Sequence, residues 1–275
     1  MRKKAFSPTR LRKGSVWVLI YLLILVLAVF TALPLVYLIA TAFKPLSELY
    51  VFPPRFFVQN PTLKNFQDLM LSLSSSTVPF TRYFFNSFLI TILIVTGTVI
   101  VSTLGAYSLV KHHPPGSKVL FQLVLSTLMF SPYVTQIPRY LIINEMGLVN
   151  HYSALILPGI VSAYNFFLIK QFVEQLPNDL LEAARIDGSG EYRIYWTIIM
   201  PMLAPAWSTL MVFSFVSSWN DYFSPLIYIN DPALQTLPLA LNTVSGGSSS
   251  IGRAGAVAAA TMLMTIPTVI VFTAA

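Results

Sequence analysis

Long apolar runs separated by short polar breaks dominate this chain. Six runs are long enough to cross a bilayer, at roughly 16–43, 86–110, 119–137, 154–173, 205–228 and 254–275; a spanning helix needs about 20 apolar residues. None of them alternates strictly with a period of two, which disfavours a transmembrane β-barrel. A helix satisfies its own backbone groups in lipid, so the pattern predicts an all-α, polytopic membrane protein with about six transmembrane helices. Pro34, Pro132, Pro158, Pro225 and Pro267 fall inside these runs, where a membrane helix tolerates proline as a kink.

Composition agrees with the pattern. The chain is 55% hydrophobic and 10% charged, which excludes an ordinary soluble domain. It has no cysteine, hence no disulfide framework and no thiol chemistry. The net charge of +7 forms no basic patch on a soluble face, so nucleic acid is not a partner. Six of the basic residues (Arg2, Lys3, Lys4, Arg10, Arg12 and Lys13) precede the first run. That run is too long for a signal-peptide core and lacks a small-residue cleavage site. It reads as a retained span, with residues 1–15 as a cytoplasmic segment and 16–275 as the transmembrane domain. With the N-terminus inside, eleven Lys and Arg fall on inner segments and six on outer ones, as the positive-inside rule requires.

The breaks differ in character. Lys44 to Arg82 is a long outer loop rich in Phe, Pro and Asn, and 139–153 reads as a short amphipathic outer helix with Tyr140, Leu141, Ile143 and Met146 apolar. His112 and His113 lie in a short inner turn, either as a metal pair or as plain polar loop residues. In the last run Gly252, Ala256 and Ala260 recur every four residues, a spacing that lets helices approach closely. The chain stops at Ala275 without a charged flank, which leaves room for a further cytoplasmic tail.

One break is a long polar island, 181–201. Asp179, Glu182, Asp187 and Glu191, four of the ten acidic residues, lie in or beside it. Asp179 and Glu182 are spaced like a capping box with Pro177 just before them. Gly188 suits a helix stop, and Ser189 is placed to cap a second helix running toward Pro201. The expected product is a helix–turn–helix on the cytoplasmic face. Ala183 and Ala184 give it a flat side, and Leu180, Leu181, Ile186, Tyr192, Tyr195 and Trp196 an apolar contact face. A helix resting on anionic lipid would carry more base than acid; the acid excess favours a protein partner.

The pattern Glu182-Ala183-Ala184, three residues, Gly188, nine residues, Ile198, one residue, Met200-Pro201 resembles the EAA loop of ABC importer membrane subunits, with Met200 where the family usually has Leu. Flanking sequences resemble the carbohydrate branch, the group related to the second maltose permease. They are Phe52-Pro53-Pro54, Asn60-Pro61-Thr62-Leu63, Asn86-Ser87, Gly147-Leu148, Ala154 to Pro158, and Ser218-Trp219-Asn220-Asp221. The resemblance covers nearly the whole chain. It implies a type I ABC importer permease fold in the bacterial inner membrane. The coupling loop then lies at about 174–203, with Glu182, Ala183, Ala184, Arg185, Asp187 and Gly188 facing an ATPase. The implied partners are a second permease subunit, two ATP-binding subunits, an external solute-binding protein, and a neutral or acidic oligosaccharide. The chain has no Gly-x-x-x-x-Gly-Lys-Ser/Thr sequence, so ATP and its Mg belong to the partner ATPase. No catalytic residue, cofactor or metal is assigned to this chain.

Polar groups inside spans are costly and point to function. Asp221 is the only acid well inside a predicted span, beside Trp219 and Asn220. Tyr164 and Asn165 sit in the fourth run, and Tyr133 and Gln136 end the third. Aromatic faces with amide and carboxylate groups suit a sugar path, and the same groups also serve as helix caps and interhelical ties. A permease for a glycerol phosphodiester or a peptide would share the loop. A secondary transporter would show internal repeats and ion-coupling groups instead.

Overall fold

The computed structural model describes residues 8–74, 78–131, 133–245 and 254–274, and among these every regular element is a helix. The chain divides into two units, Met1–Leu69 with Ser249–Met262, and Met70–Ser248 with Leu263–Ala275.

In the first unit, α1 (Pro8–Ala42) continues through Pro34 without interruption. Its described apolar positions from Val16 to Phe30 are exposed, as expected of a helix meant to face lipid or another subunit. A short α2 (Leu46–Leu49) follows, then α3 (Lys64–Ser74). Two polar side chains organise this outer loop. The Glu48 carboxylate accepts from the backbone N–H of Gln59 at 3.0 Å and from the N–H and side-chain amide of Asn60, both at 2.9 Å. These donors hold its pKa below the ordinary carboxylate value. Asn65 is buried and donates Nδ2 to Ala42 O at 2.8 Å and Lys44 O at 2.7 Å, closing the end of α1. Gly255 lies against the Asn65 amide so closely that a Cβ there would overlap it.

The second unit is built around α4 (Phe80–Lys111), a 32-residue helix. The next helix, α5 (Ser117–Thr127), has 11 residues, so the 119–137 run is helical for only its first half. Leu128, Met129 and Phe130 each bond three residues back, the tight turns that commonly end a helix; Pro132 lies outside the described residues. The outer amphipathic helix is α6 (Gln136–Glu145). It begins three residues earlier than expected and ends before Gly147, whose φ is +67°. Ile143 is buried, whereas Leu141 and Met146 are exposed.

The fourth run is two half-helices, α7 (Ser153–Ile160) and α8 (Ala163–Glu174), parted by extended backbone at Val161 and Ser162. Then come α9 (Asn178–Ile186) and α10 (Glu191–Met202). Residues Tyr195–Ile199 of α10 form a π-turn, which accommodates Pro201, a residue with no N–H to give. α10 meets α11 (Ala204–Trp219) at a bend of 77°. Trp207 Nε1 donates to Met200 O at 2.9 Å, satisfying a carbonyl near the bend. The fifth run is broken after Trp219 and resumes as α12 (Phe223–Tyr228). α13 (Leu237–Ser245) follows, and α14 (Ala254–Ala274) begins in the first unit and ends in the second. Ala256 and Ala260 of α14 are buried; Gly252 lies outside the described residues. Val16–Ala42, Phe80–Lys111, Ser153–Glu174 and Ala254–Ala274 are each long and apolar enough to cross a membrane. The bent pair α10–α11 makes a fifth such segment.

α4 packs along α7, α8 and α11. Its contact with α7 depends on two glycines facing isoleucines. A Cβ on Gly159 would sit 2.6 Å from Ile94 Cδ1, and one on Gly97 2.6 Å from Ile160 Cδ1. Overfilling such a contact costs about 1–3 kcal/mol. Gly159→Val is therefore expected to lower the thermal unfolding midpoint of the detergent-solubilised protein, more than Gly190→Ala, where a Cβ meets nothing.

Candidate functional site

The polar island folds as the expected helix–turn–helix, α9 and α10, stopped at Gly188 with φ +77°. Ser189 N–H reaches back to Ala184 O at 2.9 Å and Gly188 N–H to Arg185 O at 3.0 Å. This pair is the Schellman arrangement, which favours glycine at the left-handed position. The start differs from expectation. α9 begins at Asn178 after Pro177 with no side-chain cap, and α10 begins after Gly190, not Ser189. Neither the Asp179–Glu182 box nor the Ser189 cap forms. The first arm is held from outside instead: Lys111 Nζ donates to Leu176 O at 2.7 Å and to Asn178 Oδ1 at 2.8 Å.

The hairpin has two faces. Leu181 and Tyr195, expected on the contact face, turn inward and are buried. They join a core with Val99, Ala106, Ile169, Val173, Ile194 and Leu203, and Tyr195 Oη pairs with Thr103 Oγ1 at 2.6 Å. The reason is geometric: α9 and α10 must bury one stripe against α4 and α8 to stay in place. Outward remain Glu182, Ala183, Arg185, Asp187 and Gly188, with Ala184 half-buried. Ile186 is 86% and Tyr192 75% exposed, with Leu180 and Trp196 beside them also exposed.

A charged cluster joins the hairpin to the end of α4. Glu191 Oε1 accepts from Arg185 Nε at 2.7 Å, and Oε2 from Tyr107 Oη at 2.6 Å. His112 Nε2 lies 3.3 Å from Oε2 and its ring meets that of Tyr107 edge-on. Of the two readings of His112, the polar one describes its contacts.

The other candidate is a cavity of about 810 Å³ within the second unit, lined by α4, the end of α5, α6, α7, α8 and α11–α12. Both broken runs open onto it, at Val161–Ser162 and at Asp221. Non-helical backbone at membrane depth is tolerated where it lines a cavity. Hydroxyls dominate the polar lining, among them Ser87, Thr91, Ser162, Ser214, Ser217 and Ser218. Arg139 and Asp221 are the charged lining residues.

The predicted path residues divide. Tyr164, Asn165 and Asp221 line the cavity; Tyr133, Gln136, Trp219 and Asn220 do not. Asn165 is buried and donates to Ser214 Oγ at 3.1 Å, while Tyr164 is exposed with its ring edge-on to Phe213. Asp221 Oδ1 caps α12 through Phe223 N–H and Ser224 N–H, both at 3.0 Å. Trp219 is buried between Phe84 and Phe215 and donates to Met264 O at 3.0 Å. Asn220 closes its own helix through Val216 O at 2.8 Å. Tyr133 is exposed, and Gln136 starts α6. Glu191, Ser87 and Ser218 showed in the sequence only as parts of the island or of family-like stretches. Arg139, Tyr107, Ser162, Ser214 and Ser217 carried no site signal, because their meaning depends on partners far away in the chain.

Residues 10–275 match the family described as binding-protein-dependent transport system inner membrane component. The chain belongs to that family. It is therefore a multi-pass permease subunit of the inner membrane. This permease is 32% identical over 255 residues to the arabinooligosaccharides transport system permease protein AraQ of Halalkalibacterium halodurans, covering 90% of this chain and 87% of that one. It is 36% identical over 220 residues to Protein LplC of Bacillus subtilis, covering 78% and 70%. With the polygalacturonan/rhamnogalacturonan transport system permease protein YtcP of the same species it shares 31% over 236 residues, covering 83% and 79%. Its fold is that of a chain in a bacterial ABC transporter involved in import of the acidic polysaccharide alginate. The TM-score is 0.82 at 20% identity, over 99% of this permease and 98% of that chain.

Proposed function

We propose that this permease forms half of the membrane path of an ATP-driven importer for an oligosaccharide. An external binding protein delivers the sugar, a second permease completes the path, and two ATPase subunits supply energy through the hairpin. ATP and Mg bind those subunits. The N-terminus and the hairpin face the cytoplasm. The observation that carries this reading is the two-faced hairpin: its inner stripe is fixed in the core of the second unit, while Glu182, Ala183 and Asp187 are left outward. The coupling role assigned to Glu182, Ala183, Ala184, Arg185, Asp187 and Gly188 rests on that exposure together with family membership. The hydroxyl-rich cavity, with Tyr164, Asn165 and Asp221, is the proposed path. The sugar class rests on similarity to AraQ, a permease protein of arabinooligosaccharide transport, and YtcP, one of polygalacturonan/rhamnogalacturonan transport.

The test is uptake by the reconstituted importer, with its cognate binding protein and ATPase in proteoliposomes, of radiolabelled arabinotriose, trigalacturonate and sn-glycerol 3-phosphate. ATP-dependent uptake of a trisaccharide is expected. Uptake of glycerol phosphate alone would replace the sugar, and uptake that survives ATP removal and fails on collapse of an ion gradient would sink the reading.

A further inference from the structure

We propose that Glu191 is the positioning residue that locks the coupling hairpin to α4, so that both move as one body. The inference rests on the coupling reading above. Both oxygens of one carboxylate are committed: Oε1 to Arg185 on α9, Oε2 to Tyr107 and His112 at the end of α4. Glu191 is itself the first residue of α10. Three elements thus meet at one group, through charge-assisted bonds that are shorter and stronger than neutral ones. The Tyr107 ring is buried in the core, where a hydroxyl needs a partner, and the short bond to Glu191 provides it.

The route onward is continuous. The other half of α4 carries Ser87, Ile90, Thr91 and Ile94, which line the cavity. A push on α9 thereby reaches the cavity wall along a single unbroken helix. Arg185 lies within the exposed hairpin yet spends its Nε on Glu191, so it serves the internal lock as well as the outward face. Tyr195 Oη with Thr103 Oγ1, and Lys111 with the start of α9, also tie the hairpin to α4. Each joins one arm alone, whereas the Glu191 carboxylate joins both arms and α4 at one group. The His112 reading also finds its place here: the histidine completes the lock from the turn after α4.

The test uses the whole importer in proteoliposomes. The chain has no cysteine, so Ser108→Cys on α4 and Ser189→Cys in the hairpin turn give one spin-label pair. Its distance is measured without nucleotide and with ATP plus vanadate. The expected distance is the same in both states with Glu191 present, and shifted or broadened in Glu191→Gln. The same variant is expected to import roughly tenfold less trisaccharide per ATP hydrolysed, within the usual range of coupling energies, while the subunits still co-purify. Glu191→Asp is expected to recover part of that ratio, which a merely space-filling role would not require. An unchanged label distance and an unchanged transport-to-hydrolysis ratio in Glu191→Gln would overturn the lock. If that variant does not assemble, Tyr107→Phe removes one bond and is read in the same way, an unchanged ratio again overturning it. A parent importer that moves no trisaccharide with ATP would instead overturn the reading on which the lock rests.

Discussion

Gly188→Pro is expected to abolish uptake while leaving the subunit in the membrane. Gly188 has φ +77°, and proline is fixed near −65°. Gly188 N–H also donates to Arg185 O at 3.0 Å, and proline has no N–H. The substitution therefore destroys both parts of the Schellman turn, at a local cost of about 3 kcal/mol or more. α9 would lose its stop and its register against α10, so Arg185 would no longer meet Glu191. The spans do not depend on this turn, and insertion should survive. Immunoblots of membrane fractions beside uptake assays check both halves of the expectation. Gly188→Ala is the graded control, since a left-handed alanine costs only about 1–2 kcal/mol and keeps the N–H. Partial uptake is expected from it. Full uptake by the proline variant would mean that the turn is not part of coupling.

The second large effect is on stability. Asn86 is fully buried in α4. Its Nδ2 donates to Ala233 O at 2.9 Å and Gln235 O at 2.8 Å, and its Oδ1 accepts from Tyr152 Oη at 2.7 Å. One amide thus ties α4 to the segment after α12 and to the start of α7. Asn86→Leu keeps the number and branching of side-chain heavy atoms and strands these partners. At about 1 kcal/mol for each bond, the expected loss is about 3 kcal/mol. Arg82 also donates to Ala233 O, at 3.2 Å, which moderates it. A lower unfolding midpoint in detergent, with proteolysis appearing first between 229 and 237, is the expected result. Ser87→Ala removes a single bond, Leu237 N–H to Ser87 Oγ at 2.7 Å, and should cost less.

These two sites show what the sequence made legible and what it did not. Gly188 could be read directly, because a left-handed turn favours one residue type whatever its surroundings. Asn86 and Ser87 were visible only as marks of family resemblance. Their role is to hold a chain segment about 150 residues away in sequence, which no local pattern reveals. The Ser218-Trp219-Asn220-Asp221 stretch is similar. Polar groups in an apolar run suited a sugar path and suited helix caps or interhelical ties equally. In the fold, Trp219 and Asn220 tie helices together, and Asp221 both caps α12 and faces the cavity. Long apolar runs were legible because hydropathy is additive along a helix. The break at Val161–Ser162 was not, because hydropathy continues across it, and the break after Trp219 showed only as the polar pair Asn220-Asp221, which was read as lying within a span. The Asp179–Glu182 box failed because α9 already begins at Asn178, which puts Asp179 inside the first turn, and the Ser189 cap failed because α10 begins only after Gly190.

The central claim is that the hairpin is where this permease receives the energy of ATP. Ala183 is exposed on the outer face of α9, and the chain offers no competing thiol. Ala183→Cys, treated with a short bismaleimide in the assembled importer carrying a single cysteine in the ATPase groove, tests it most directly. The account predicts a crosslinked band of permease plus ATPase whose yield changes between nucleotide-free and vanadate-trapped states. A thiol in the Ala183→Cys variant that reacts with soluble maleimide to the same extent in every state, and never crosslinks, would contradict it.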